Sequence, residues 1–270
     1  MQFKYVLRHY LRVLFRRPVT RVGKALLILD PADAKVSPSM CLPWPLKFEW
    51  REQKVMRSVI RPGDTVVDVG AHIGYHLLLM AQLVGSEGKV YGFEPSERNF
   101  QFLEMNVRLN RLSNVISDQV TLKQCALWDT RCDKILYVSE QNTGNCTLSP
   151  QANRQENVVH CERLDDILKN EPIHFLKMDV EGAERHVLRG ATETLARSPN
   201  LKVLVEVNPP YLKQMGTSGD ELLQILQANG FRLFEMDNPR QQLRVSDVIR
   251  ICDSSPDRYA NLLCVKGGNP

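Results

Sequence analysis

Apolar and polar positions along this chain follow two periods. Over residues 3–15 the apolar side chains Phe3, Val6, Leu7, Tyr10, Leu11, Leu14 and Phe15 keep the i, i+3, i+4 spacing of an amphipathic helix. Lys4, Arg8, Arg12 and Arg16 recur every fourth residue along it, and Pro18 ends it. After a helical stretch at 49–60 the pattern changes to short, β-branched apolar runs at 65–69, 89–93, 120–126, 174–180, 201–207, 231–236 and 261–266. Between them lie segments of helical period at 75–84, 96–110 (with Ser96 as its cap), 162–170, 181–197 and 220–229, the alternation that builds a mostly parallel sheet covered by crossover helices. Two further runs, 134–139 and 157–161, alternate as strands around a polar segment at 141–154. That segment is long for a loop inside a domain and is a candidate lid or substrate loop. The pattern therefore predicts an α/β, doubly wound Rossmann-like sheet over 49–270, preceded by an N-terminal helical extension and linker or cap over 1–48.

The densest chemistry sits at the first strand. Residues 65–69 end in Asp68-Val69, and Gly70, Ala71 and Gly74 let the chain turn tightly against a ligand before the next helix. The second strand ends in Glu94-Pro95, where a carboxylate can accept hydrogen bonds from both hydroxyls of a ribose. A dinucleotide fingerprint places a glycine in the middle of this turn so that a pyrophosphate can approach the helix N-terminus; here His72 stands there. The spacing is D-x-G-x-x-x-G instead. An acid opening the turn repels phosphate and suits a cation, so S-adenosylmethionine, with its ammonium, sulfonium and unphosphorylated ribose, fits Asp68 and Glu94 better than NAD does. A Rossmann-like fold that binds another nucleoside, or none, remains the alternative.

Composition narrows the setting. The chain has 270 residues and a net charge of +4, yet the first 29 residues hold seven basic side chains and no acid, leaving about −3 for the remainder. The body is therefore not a basic nucleic-acid binder. The N-terminal helix would lie in the headgroups of an anionic membrane through residues 3–17, or dock its apolar face on the core or on a second copy in a homo-oligomer. Cys41, Cys125, Cys132, Cys146, Cys161, Cys252 and Cys264 are scattered with no C-x-x-C pair, which points to reduced thiols in a cytoplasmic setting and to no zinc site. No apolar run reaches membrane-spanning length. Residues 31–45 turn to Pro, Ser and Ala, an irregular cap over a cleft, and Trp44, Phe48 and Trp50 are candidates to line its entrance.

DVGAHIGYH at 68–76, YGFEP at 91–95, NTGN at 142–145, LKMDVEGAERHVLRGA at 176–191 and VEVNP at 205–209, in this order, resemble the FkbM family of S-adenosylmethionine-dependent methyltransferases over roughly 49–233. The resemblance implies a class I methyltransferase sheet of seven strands, the last antiparallel. It also implies methyl transfer, usually to a hydroxyl of a sugar or a polyketide-type natural product. The family turn most often reads DVGANIG followed by an aromatic, so His72 is a departure; its side chain is expected to hydrogen-bond near the cofactor's amino-acid end. Within the implied fold Asp68, Gly70, Ala71, His72, Gly74, Glu94 and Pro95 hold the cofactor, Cys125, Ala126 and Leu127 wall the adenine, and Asp179 faces the methyl group. Asp179, Glu181 and Glu206 are the candidates for base or acceptor-positioning group. Glu184, in the first turn of its helix, is read as a cap. Asp179, Glu206 and Asn208 could instead gather Mg²⁺, an alternative that is not favoured over a metal-free site. His76, His174 and His186 are read as packing residues. The expected acceptor is a small molecule or glycan; methylation of an amine or protein side chain, or a non-catalytic membrane-docked module of the same fold, are the rivals.

Overall fold

The computed structural model describes residues 19–40, 49–139, 142–236, 238–255 and 259–268, with backbone alone at 238–240. The expected helix at 3–15, and with it Cys41, Trp44 and Phe48, lie outside the described residues. In chain order the elements are β1 (Val19–Val22), β2 (Ala25–Ile28), α1 (Val36–Ser39), α2 (Trp50–Val59), β3 (Thr65–Val69), α3 (Tyr75–Val84), β4 (Lys89–Phe93) and α4 (Glu97–Leu112). There follow β5 (Val120–Lys123), β6 (Ala126–Leu127), β7 (Cys132–Val138), β8 (Gln155–Glu162), α5 (Leu164–Leu168), β9 (Phe175–Met178), α6 (Glu184–Arg189) and α7 (Thr192–Arg197). The chain continues through β10 (Lys202–Val207), α8 (Pro209–Gln214), α9 (Gly219–Ala228), β11 (Phe231–Glu235), β12 (Asn238–Leu243), α10 (Val245–Ser254) and β13 (Ala260–Lys266).

The main sheet runs β12-β11-β13-β10-β9-β3-β4-β5. Strands β3, β4, β5, β9 and β10 pair in parallel, and β13 is antiparallel to both β10 and β11. All seven expected strands are present with the last one antiparallel. An eighth, β12, extends the edge; its sequence NPRQQL carries no apolar alternation and so gives no strand signal. The order reverses between β3 and β9, and a ligand crevice opens at the carboxyl ends of strands where such a reversal occurs.

Side chains alternate across the strands, so each face carries its own core. Val66, Phe175, Leu204 and Leu263 face α2, α3 and α4, whereas Val67, Val69, Leu176, Met178, Val203 and Val205 face α6, α9 and α10. Each fully buried Leu, Val or Phe contributes about 1.5–3 kcal/mol, which is why the central strands read as continuous apolar runs.

Three local expectations are corrected. Residues 120–126 do not form one strand: the chain leaves the main sheet after Lys123, and β6 pairs instead with β8 in a three-stranded side sheet, β6-β8-β7. The helix expected to run to 197 breaks at Gly190, which packs against the Trp128 carbonyl where a Cβ would overlap it. Ser96 does occupy the N-cap position of α4, but its hydroxyl makes no cap; its N–H instead donates to Glu94 Oε1 at 3.0 Å.

The sequence pattern announced neither the hairpin β1-β2 nor the helices α1, α8 and α10. The hairpin β1-β2, turning at Gly23-Lys24, buries Val22, Ala25, Leu27 and Ile28 in the same core as α3 and α4. Two asparagines one turn apart on α4 hold it. Asn106 Oδ1 accepts from Ile28 N–H at 2.7 Å while its Nδ2 donates to the carbonyls of Ile28 and Ile73, and Asn110 brackets Leu26 in the same way, at 2.9 and 2.7 Å.

Candidate functional site

Register explains why polar groups gather at one place. Asp68 on β3 is the Cα partner of Lys177 on β9, and Glu206 on β10 is that of Asn261 on β13. Residues 177 and 179, like 204 and 206, share one face of the sheet because strand side chains alternate. At the carboxyl ends, the face that is apolar at Val66, Phe175 and Leu204 thus becomes a row of charges: Asp68, Lys177, Asp179 and Glu206. The N-terminal end of α2 brings Glu49 to the same place, and the first turn of α3 brings His76, whose Nε2 lies 3.2 Å from Glu49 Oε2. The result is a cleft of about 300 Å³.

The glycine turn forms one wall. The N–H groups of Gly70 and Ala71 both donate to the Phe93 carbonyl at 3.0 Å, tying the turn to the end of β4. Gly70 has φ +80° and no room for a Cβ, which would overlap the Asp179 carbonyl oxygen; Gly74, at φ +96°, starts α3. His72 also adopts a positive φ, +51°. Its N–H donates to Glu94 Oε2 at 2.9 Å, and its ring Nε2 lies 2.8 Å from Thr143 Oγ1. The His72 ring thus engages the 142–148 loop, where a bond toward the cofactor's amino-acid end was expected. Burial pushes that ring down to about 4, so it is neutral at physiological pH.

Asp68 is 1 % exposed and neither carboxylate oxygen has a hydrogen-bond partner among the described residues. Burial pushes its carboxyl up to about 6, against the pull of Lys177. A buried carboxylate with no donor is costly unless a ligand supplies one. Glu94 differs: Oε2 accepts from His72 N–H and Oε1 from Ser96 N–H, with Asn99 Nδ2 also 3.4 Å from Oε1, which leaves Oε2 one further lone pair. Burial raises it to about 7. Pro95, Phe93, Cys125, Ala126 and Leu127 continue the lining on that side, and burial holds the Cys125 thiol protonated, pushed up to about 12.

Opposite them stands the acid cluster. Lys177 Nζ donates to Asp179 Oδ2 at 3.3 Å. Burial, then the charges of Asp179 and its neighbours, push Glu206 up to about 8 and Glu181 up to about 9; Glu181 Oε2 has no partner among the described residues. Glu184 does not line the cleft: its Oε1 accepts from the N–H groups of Val180 and Gly182 in the turn before α6, and no side-chain hydrogen bond caps that helix, which corrects the cap expected of it. The trio considered for Mg²⁺ is tied up differently: Asn208 Oδ1 accepts from Tyr211 N–H as the N-cap of α8, while its Nδ2 donates to Glu206 Oε1 at 3.2 Å. Among the described residues no three His, Cys, Asp or Glu side chains converge as metal ligands.

The cover comes from two loops. Val36 and Met40 of the 31–40 segment and residues 142–146 with Leu148 line the cleft. Thr143 knits them together: its N–H faces Asp33 Oδ1 at 3.4 Å and its carbonyl accepts from Asn99 Nδ2 at 3.0 Å. Every residue singled out from the sequence as a cofactor or catalytic candidate lines this cleft except Gly74, which sets the turn from behind. His174 and His186 do pack elsewhere, the latter stacked on Trp128 at 3.6 Å and bonded to Asp129, whereas His76 lines the cleft. The sequence reading missed Lys177 and Glu49. A lysine inside the otherwise apolar run FLKM was the available signal for the first, since an unpaired charge in a buried strand is rarely tolerated; Glu49 carried none.

The unpartnered Asp68 matches an ammonium, the remaining lone pair of Glu94 a ribose hydroxyl, and the apolar stretch at 125–127 an adenine, so these residues can hold S-adenosylmethionine. Comparison with known proteins agrees. The Methyltransferase FkbM domain matches residues 68–233. The 31-O-demethyl-FK506 methyltransferase FkbM of Streptomyces tacrolimicus is 26 % identical over 209 residues, 67 % of this chain and 77 % of its own length. Methyltransferase 1 of Beauveria bassiana is 30 % identical over 153 residues, 48 % of this chain, and the match spans 59 % of that protein. Among solved structures, a putative rRNA-methylase from Clostridium thermocellum superposes with a TM-score of 0.50 at 13 % identity, covering 80 % of this chain and 93 % of that one, a likeness of fold alone. With its domain match extending over more than half of its length, this chain belongs to the FkbM methyltransferase family.

Proposed function

We propose that this protein is an S-adenosylmethionine-dependent O-methyltransferase acting on a hydroxyl of a sugar, glycan or natural product. The observation that carries the cofactor reading is Asp68, a carboxylate buried in the cleft with neither oxygen hydrogen-bonded among the described residues. A bound sulfonium cofactor would supply an activated methyl group, so the protein has mainly to align the acceptor oxygen and accept its proton. Asp179, held by Lys177 at 3.3 Å, follows the end of β9 and lines the cleft, and it is the group assigned here to take that proton. Glu181, protonated at neutral pH by burial and by its acidic neighbours, can donate a hydrogen bond that fixes the acceptor oxygen. Glu206 shares this crowded site, and a cation bound beside it would draw both glutamates toward ionisation. The name of the Streptomyces relative, which describes an O-demethyl substrate, supports oxygen as the atom methylated.

The test is transfer of labelled methyl to paired acceptors that present either hydroxyls or amines on the same ring. Label on hydroxyl-bearing acceptors, reduced about a hundredfold or more by Asp179→Asn, the scale of general-base contributions, is the expected result. Label on the amines alone contradicts the oxygen assignment.

A further inference from the structure

Lys177 has no role assigned by the glycine turn or by the acid cluster, yet its placement is unusual. It lies on central strand β9 with its side chain 7 % exposed, and among the described residues lining the cleft it is the sole lysine or arginine. Six acids, Glu49, Asp68, Glu94, Asp179, Glu181 and Glu206, line the same cleft. An ammonium carries three N–H donors, and Lys177 uses one on Asp179, its single hydrogen bond among the described residues. Burial alone would discharge it, but the charges of Asp179, Asp68 and Glu49 hold it well above the usual lysine range.

The amino-acid end of S-adenosylmethionine is a zwitterion. The acids of the cleft suit its ammonium and repel its carboxylate, and that carboxylate needs a cation within hydrogen-bond reach. Asp68 and Lys177 are Cα partners on adjacent parallel strands, so their side chains leave the same face next to each other, one anionic and partnerless, the other cationic with donors to spare. We infer that Lys177 grips the carboxylate of the cofactor's methionine moiety while Asp68 takes its ammonium, so that the floor of the cleft reads the zwitterion as a pair. This rests on the cofactor reading above and adds a consequence of its own: the cleft discriminates for the carboxylate as well as for the nucleoside.

The experiment is calorimetric titration of the full chain with S-adenosylhomocysteine and with its decarboxylated analogue, which keeps the adenosine, the thioether and the amine. The wild-type protein is expected to prefer S-adenosylhomocysteine by about ten- to a hundredfold, the scale of one charge-assisted contact. Lys177→Met removes that preference by weakening S-adenosylhomocysteine alone, and Lys177→Arg keeps most of it. Equal wild-type affinity for the two ligands overturns the inference, and that comparison does not depend on whether any variant folds. Equal weakening of both ligands by Lys177→Met also overturns it, since a lysine that only balances Asp179 would act that way. Failure of the wild type to bind S-adenosylhomocysteine at all overturns the cofactor reading itself, and the inference with it.

Discussion

At the scale of single residues, the site is built from groups whose charge the fold makes costly. Asp68, Glu94, Glu206 and Glu181 all have their carboxyls pushed up, to between about 6 and about 9, and in each case burial is the largest cause. For Glu181, raised to about 9, the folded chain binds its proton more tightly than the unfolded chain does. Its contribution to stability is therefore fully present below the ordinary glutamate range, falls as pH rises, and is gone once pH has passed about 9. Glu181→Gln removes this dependence. The variant's thermal midpoint, measured by calorimetry against the wild type without ligand, should gain on it steadily between about pH 6 and pH 9; parallel pH profiles for the two proteins would show that Glu181 is not held protonated. Asp68, Gly70 and Glu94 were legible in the sequence because each answers a local demand: a turn, a positive φ, a strand-end acid. Lys177 and Glu49 were not, because what makes them part of the site is register across strands and a helix start far off in sequence, neither of which leaves a local pattern.

At the scale of elements, the hairpin at the N-terminal side of the body shows how a short piece without its own core is fixed. Four-residue strands are marginal by themselves, and β1-β2 is held by the carboxamides of Asn106 and Asn110, which pair with backbone groups of Ile28 and Leu26 as a neighbouring strand would. Asn106→Ala leaves the N–H and carbonyl of Ile28 and the carbonyl of Ile73 without that partner. The expected cost is about 2–4 kcal/mol for such buried groups, read as a thermal midpoint lower by roughly 5–10 °C, with proteolytic cleavage appearing first between residues 19 and 40. A change within about one degree would mean that the hairpin is held by its apolar contacts alone. The Gly23-Lys24 pair between apolar residues was a hairpin signal of the two-residue kind, outweighed in the sequence by the stronger helical pattern before it. The break at Gly190 and the departure of the chain after Lys123 were not legible, since each is set by a distant partner, Trp128 in one case and β8 in the other.

At the scale of the whole molecule, the doubly wound, mostly parallel sheet followed from the alternation of apolar runs and helical segments, whereas the reversed last strand came from the family resemblance alone. Both faces of the central strands are buried, and the runs that satisfy that demand are unambiguous. What the fold adds is convergence: the switch point between β3 and β9 brings the glycine turn, the acid row and the two covering loops around one cleft. No helix among the described residues is long and apolar enough to cross a membrane. The central claim is that this cleft holds S-adenosylmethionine, with Asp68 as the counter-charge to its ammonium, and calorimetric titration of wild type and Asp68→Asn with S-adenosylhomocysteine at neutral pH tests it most directly. Micromolar binding by the wild type is expected, weakened by about tenfold or more in Asp68→Asn, the scale of a hydrogen bond to a charged group. Absence of binding by the wild type, or an affinity that Asp68→Asn leaves unchanged, would contradict it.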